Sequence, residues 1–251
     1  MISRNKQKLI KSLQIKKYRK LHQMFLVEGA INIKELLTSD FEIEHLFVTP
    51  DFLNENEALL KSSQVNYELA DEKELTEAGT LESNNAALAV VKMKEEQPLR
   101  VEQGEYVLVL DDVRDPGNLG TLIRIADWYG ITKIICSEQS AEHYNPKVIS
   151  ATKGSFIRVA MHYCDLKTYL SNLMQKGIPV FGAFLSGRNI HELQFPQTGA
   201  VLLGNEASGI REELEAFVTN KITIPRFGGA ESLNVAVASA VILDNVKRSG
   251  H

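Results

Sequence analysis

The chain has little of what would place it in several large classes. It holds only two cysteines, Cys136 and Cys164, each inside an apolar, strand-like run and neither in a CxxC pair or beside a histidine ligand pattern. That excludes a zinc knuckle or a disulfide framework and leaves two buried free thiols. No stretch approaches the roughly 20 apolar residues of a membrane span. The N-terminus lacks the apolar core of a signal peptide, so a cytoplasmic protein without membrane association is expected. The six histidines form no ligand cluster, and no metal is expected. A GxGxxG fingerprint is missing, because Gly117-Asn118-Leu119-Gly120 has other spacing, which argues against a dinucleotide site. Acidic residues are absent from Met1 to Val27, while Arg4, Lys6, Lys8, Lys11, Lys16, Lys17, Arg19 and Lys20 are all basic.

What is present is an ordinary globular composition, 44% hydrophobic and 24% charged over 251 residues, with a net charge of −4. That total announces no nucleic-acid binder. The cationic N-terminus reads either as a solvated amphipathic helix or as a local patch that steers phosphate backbones. Leu9 and Leu13 give helical spacing within 2–20. Apolar strands at 24–29, 43–48, 65–69 and 86–93 alternate with helices at 30–37, 54–61 and 71–78, with Asp71 as an N-cap. A small α/β domain over 1–95 is therefore expected. A charged stretch without periodicity, 96–104, reads as a linker, and 105–251 as a second domain.

The second domain opens with an unbroken apolar strand from Tyr106 to Val113, the pattern of a strand buried on both faces. Further strands at 131–136, 157–162, 179–184, 200–203 and 222–224, with helices between several of them, predict a parallel sheet. In such sheets ligands collect at the C-terminal strand ends. Three of those ends carry polar, glycine-rich loops. Gly204-Asn205-Glu206 and Gly209 follow one strand, Ile224-Pro225 and Ser232-Leu233-Asn234 follow another, and Gly182-Ala183-Phe184 closes a third. Asn118 and Arg124 stand after the first strand, with Arg124 turned away from the apolar stripe Leu119, Leu122, Ile123 and Ala126.

Each residue also has a plain structural reading. Asn118 or Ser232 can cap a helix, Glu206 can favour a helix dipole, glycines make turns and an arginine on a helix is solvated. Taken in order, however, the motifs resemble the SpoU (TrmH-like) family of RNA ribose 2'-O-methyltransferases in the SPOUT superfamily. The resemblance spans Asp111 to Asn245. At the N-terminus Lys16-Lys17-Tyr18-Arg19 and Phe25–Gly29 are similar to signatures of the family's L30e-like RNA-recognition domain. Two departures stand out: Asn84-Asn85-Ala86 replaces a Gln-Gly pair, and Ser150–Ser155 replaces an Arg-Ala-Ser-Met-Gly-like run.

The resemblance implies an α/β protein in which an L30e-like domain precedes a trefoil-knotted parallel-sheet domain, the chain threading from about Gly199. It implies S-adenosyl-L-methionine held by Gly204, Ile224 and Leu233, with Gly209 and Ala183 beside them, and a homodimer completed by the small-residue helix after Asn234. It assigns Arg124 to the RNA phosphate and the 2'-OH proton, Glu206 to organising the loop and the neighbouring arginine across the dimer, and Ser232 and Asn234 to orienting the ribose hydroxyl near the donor methyl, with Asn118 in the same site. A guanidinium that titrates above about 12 is a poor base, so clamping and orientation are the safer roles. Lys16, Lys17 and Arg19 are the expected RNA contacts. The two-domain layout favours rRNA over tRNA. A noncatalytic RNA binder keeping the fold, and a methyltransferase acting on small molecules or protein, are the competing readings.

Overall fold

The computed structural model describes residues 1–249. Two compact units form, one from Met1–Glu95 with Glu142–Ile157, the other from 96–141 and 158 onward.

The first unit is built on strands β1 (Met24–Glu28), β2 (Ile43–Val48), β3 (Glu68–Leu69) and β4 (Ala87–Lys92), in the order β1-β4-β2-β3. β4 runs antiparallel to both neighbours, and β3 lies parallel to β2. Its helices are α1 (Arg4–Leu13), α2 (Lys16–His22), α3 (Ala30–Leu37), α4 (Pro50–Glu55), α5 (Glu57–Ser63), α6 (Glu72–Ala78) and α8 (Pro146–Thr152). Both sheet faces are covered, so the strands read as continuous apolar runs. Phe25, Val27, Ala89 and Val91 share one core with Ile33 and Leu36 of α3. Leu26, Phe47, Leu88 and Val90 share the other with Ile10, Leu13, Leu75 and Ala78. The single N-terminal helix expected from the spacing is broken at Ile15 into α1 and α2, and the helix expected over 54–61 is two helices meeting at Asn56. Asp71 caps α6 in a capping box with Glu74.

The segment Glu142–Ile157, which the linear reading gave to the second domain, packs in this unit. The reason is aromatic. Tyr144 and Phe156 bring their ring centroids to 4.4 and 6.1 Å from Phe25, and Phe156 lies 5.8 Å from Phe41. Burying one such ring fully is worth roughly 1.5–3 kcal/mol. Arg19 fixes the same segment, donating from Nη2 to Glu142 Oε2 at 2.5 Å.

The second unit carries β5 (Tyr106–Leu110), β6 (Lys133–Cys136), β7 (Ala160–Tyr163), β8 (Val180–Asn189), β9 (Gly199–Leu203) and β10 (Asn220–Thr223). They form one six-stranded sheet in the order β10-β8-β9-β5-β6-β7, parallel throughout. Its helices are α7 (Pro116–Trp128), α9 (Leu166–Gln175), α10 (Glu212–Glu215) and α11 (Val235–Ser249), and α7 packs along α11. Leu166, Leu170 and Leu173 of α9 lie on one helical stripe over Val107, Val109, Val180 and Leu202. The stretch 96–104 is anchored here. Leu99 and Val101 enter the same core, the Glu96 carboxylate accepts the Tyr163 N–H at 2.6 Å, and Lys133 Nζ donates to the Arg100 carbonyl at 3.0 Å.

Candidate active site

The first and fifth strands of the second sheet, β5 and β9, are neighbours with Leu110 opposite Leu203, so the loops that follow them emerge together. Those loops are tied by a buried charge. Asp111, with none of its surface exposed, accepts from the Arg211 backbone N–H at 2.9 Å and from its Nε and Nη2, each at 2.8 Å. A buried carboxylate needs such a set of donors to offset its desolvation. Asn205 completes the tie. Its Nδ2 donates to the Asp112 carbonyl at 2.8 Å, and its Oδ1 accepts the N–H groups of Ala207 and Ser208 at 2.9 and 3.2 Å. Asn205 and Gly209 exchange backbone hydrogen bonds of 3.0 and 2.9 Å, closing the loop into a hook. Glycine is obligatory at 204, where a Cβ would stand 2.1 Å from the Gly209 carbonyl carbon, and Gly209 itself has φ +71°. Glu206 rides at the exposed tip of that hook.

Asn118 comes to the hook from α7. The helix is capped by Asp115, whose carboxylate accepts the Asn118 N–H at 2.7 Å, and Pro116 fills the first helical position. The capping role open to Asn118 in the sequence is therefore taken. Its side chain is free to donate from Nδ2 to Glu206 Oε1 at 2.7 Å and to accept from Asn234 Nδ2 at 2.9 Å. Asn234 in turn caps α11, accepting the Ala236 N–H at 2.9 Å. The last helix begins at Val235, so Asn234, not Ser232, is its cap. One chain of side-chain hydrogen bonds, Glu206–Asn118–Asn234, thus joins the three sequence motifs.

Arg124 lies two turns farther along α7 on an exposed stripe with Gly117, Thr121 and Trp128. Among the described residues it has no ion pair or hydrogen-bond partner, so its guanidinium is free for a ligand. Leu119, Leu122, Ile123 and Ala126 are buried on the opposite side, as the spacing predicts. Ser232 is exposed in the loop between β10 and α11. In that loop Leu233 is 50% exposed and Ile224 partly buried.

The chemistry of these groups fits a donor with an adenine ring and an amino-acid tail. Among the described residues the backbones of Ile224 and Leu233 make no hydrogen bond to other backbone groups, and their apolar side chains offer a ring a flat seat. Ala183 follows the Gly182–Leu202 pair and is level with the end of β9. Gly182-Ala183-Phe184 does not end its strand, because β8 runs on to Asn189 and pairs Arg188 and Asn189 with Ile222 and Thr223 of β10 after a register shift. Ala183 is consequently an interior, partly buried strand position.

Of the expected RNA contacts, Lys16 and Lys17 are exposed, but Arg19 is only 1% exposed. Its guanidinium donates to the carbonyls of Leu13 and Gln14, both at 2.9 Å, and to Glu142. Arg19 is a structural residue, not a phosphate contact. Asp111 and Arg211 are the residues of this tie that the linear reading missed, and Asn205 was read only as part of the Gly204-Asn205-Glu206 motif. The signal available was a carboxylate ending an apolar strand, which, once buried, needs a cation or several donors to meet it.

Burial raises the Cys136 thiol far above its ordinary range and that of Cys164 to about 11, so both are neutral thiols at physiological pH. Among the described residues no group of three or more His, Cys, Asp or Glu is placed to hold a metal ion, and His251 lies outside them.

Comparison with known proteins converges on one family. Residues 105–244 match the SpoU rRNA Methylase family, and residues 4–89 match the MRM3-like substrate binding domain. The 23S rRNA (guanosine(2553)-2'-O)-methyltransferase RlmP of Bacillus subtilis is 29% identical over 238 residues, covering 94% of each chain. A solved structure from Porphyromonas gingivalis, assigned to the TrmH family of RNA methyltransferases, superposes with a TM-score of 0.85 at 33% identity and covers 99% of both chains. The rRNA methyltransferase of Sinorhizobium meliloti with AdoMet bound gives a TM-score of 0.84 at 26% identity, covering 99% of this chain and 97% of that one.

Proposed function

The chain belongs to the SpoU rRNA Methylase family, and from that premise we propose that it methylates a ribose 2'-OH of ribosomal RNA with S-adenosyl-L-methionine as donor. The observation that carries the proposal is the Glu206–Asn118–Asn234 chain, beside an arginine left without a partner. When bound, the donor supplies an electrophilic methyl carbon on a sulfonium. The protein's task is to hold that carbon in line with one hydroxyl and to ease loss of the hydroxyl proton.

Gly204 and Gly209 let backbone approach the donor closely, Ile224 and Leu233 hold its adenine, and Ala183 lines the crevice from β8. Asn118 and Asn234 fix the entrance of α11 against the hook, so that Asn234 and Ser232 present polar atoms to the ribose. Glu206 holds Asn118 in that orientation. Arg124 clamps the adjoining phosphate and orients the 2'-OH, its charge favouring the oxyanion that develops as the proton leaves.

The unit formed by 1–95 with 142–157 is the RNA-gripping module, supported by the match over 4–89. Ribosomal RNA is favoured because the full-length relative with 94% coverage acts on it, and such a substrate places the enzyme in the cytoplasm. No described helix is long and apolar enough to cross a membrane. The protein works as a homodimer, for α7 and α11 leave Trp128 84% exposed and Val237 half exposed, faces that a second copy would cover. The proposal includes a trefoil knot, with the chain from about Gly199 threaded through its own loop, a reading supported by the family match over 105–244.

The test is direct. Ribosomal and transfer RNA from a deletion strain are incubated with the protein and radiolabelled donor, then digested to nucleosides. Label in a 2'-O-methyl nucleoside from 23S rRNA is expected. Label in tRNA would move the substrate, label on a base would end the ribose assignment, and none on any RNA would leave a binding protein. Sedimentation of the free protein reads the dimer.

A further inference from the structure

Helix α2 is built inside out. Its one buried residue is Arg19, while Tyr18 is 37% and Leu21 69% exposed. Tyr18, Leu21 and His22 recur at i, i+3 and i+4 and therefore share one side of the helix. Lys16, Lys17 and Lys20 occupy the adjoining side, all exposed and, among the described residues, none with an ion-pair partner. By contrast Lys61, Lys73, Lys92 and Lys94 of the same unit each face a carboxylate within 4.0 Å. The rings of Tyr18 and His22 are nearly parallel, at 22°, with centroids 6.5 Å apart. At that separation they are not stacked face on face, and ring surface stays open to a third ring. The helix is anchored instead by the Arg19 guanidinium, which leaves Tyr18 and Leu21 outside the core.

We propose that α2 is a base-stacking platform, on which Tyr18 and His22 receive an unpaired base of the RNA substrate while Lys16, Lys17 and Lys20 hold its phosphates. The occupant is RNA because the flanking charge is of one sign, in a segment without an acidic residue from Met1 to Val27. It is a single-stranded loop or bulge because paired bases hide the faces that an aromatic ring needs. This gives the first unit a preference for unpaired nucleotides that shape recognition alone lacks.

The inference rests on the reading of the chain as an RNA enzyme, but its test needs no turnover. Fluorescence anisotropy is measured with a short labelled oligoadenylate and with a blunt RNA duplex of equal length. Tyr18→Ala is expected to weaken oligoadenylate binding roughly tenfold and leave duplex binding unchanged, and Tyr18→Phe to keep both. Replacing Lys16, Lys17 and Lys20 by alanine is expected to weaken both probes and to flatten the salt dependence by about 0.7 per lysine on the single strand. Unchanged oligoadenylate affinity in Tyr18→Ala overturns the proposal, as does equal loss on both probes. A change in self-association with RNA binding intact also overturns it and makes the face a contact between copies. Stacking without methyl transfer ends the enzyme reading alone, and methyl transfer without stacking ends this one alone.

Discussion

Arg19 on α2 and Arg124 on α7 are both helical arginines in a chain suited to RNA, and they end in opposite states. Arg19 follows the end of α1, where the carbonyls of Leu13 and Gln14 have no amide ahead of them, and its guanidinium fills that gap. Arg124 sits inside a thirteen-residue helix whose carbonyls are met by their own turns, so its donors remain available. What separates an engaged arginine from an available one here is the state of the nearest backbone, not the local charge.

Four substitutions or conditions press on that contrast, the largest first. Arg19→Ala leaves Glu142 and two carbonyls without their donor, and a loss of about 3–5 kcal/mol is expected in urea denaturation of the full chain. Arg19→Lys recovers only part, since an ammonium cannot serve carbonyls and carboxylate as a fork does. A stable Arg19→Ala protein with weakened RNA binding would reverse the assignment. Arg124→Ala is expected to cut methyl transfer about 10²–10³-fold with donor affinity and melting midpoint retained, comparable to removing one oxyanion donor. A change in midpoint would make it structural too.

The third test is acid. His143, next to the partner of Arg19, is buried, and burial lowers its pKa from 6.5 to about 4. The unfolded chain takes up that proton first as pH falls. Stability from this group is thus whole above the ordinary value and is lost between 6.5 and about 4, by on the order of 3 kcal/mol. His143→Phe should flatten that slope in denaturation curves taken across the window. The smallest effect is expected from Asp115→Ala, about 1 kcal/mol of helix capping, with a modest fall in turnover as Asn118 loses its fixed entry to α7.

The strands β1, β4, β5 and β9 were legible because they are buried on both faces and so spell apolar runs. The tail of β8, Leu185–Asn189, was not, since its one apolar residue, Leu185, is 80% exposed and it pairs with β10 only beyond a register shift. Asn118 shows the limit at the site. Its neighbours Asp115 and Pro116 spell a better cap and first turn than it does, a local signal that was there to read. Its bonds to Glu206 and Asn234 span 88 and 116 residues, and no periodicity encodes them. The resemblance to a family brought the three motifs into one site, but not these bonds between them. Arg19 failed for the same reason in reverse: its carboxylate partner lies 123 residues away.

Because Glu142–Ile157 returns to the first unit from inside the second, neither unit is a contiguous stretch of gene. Recombination that exchanged only residues 1–95 for another protein's module would leave Tyr144 and Phe156 without the rings they rest on. An exchange that keeps both cores therefore has to carry Glu142–Ile157 along with residues 1–95.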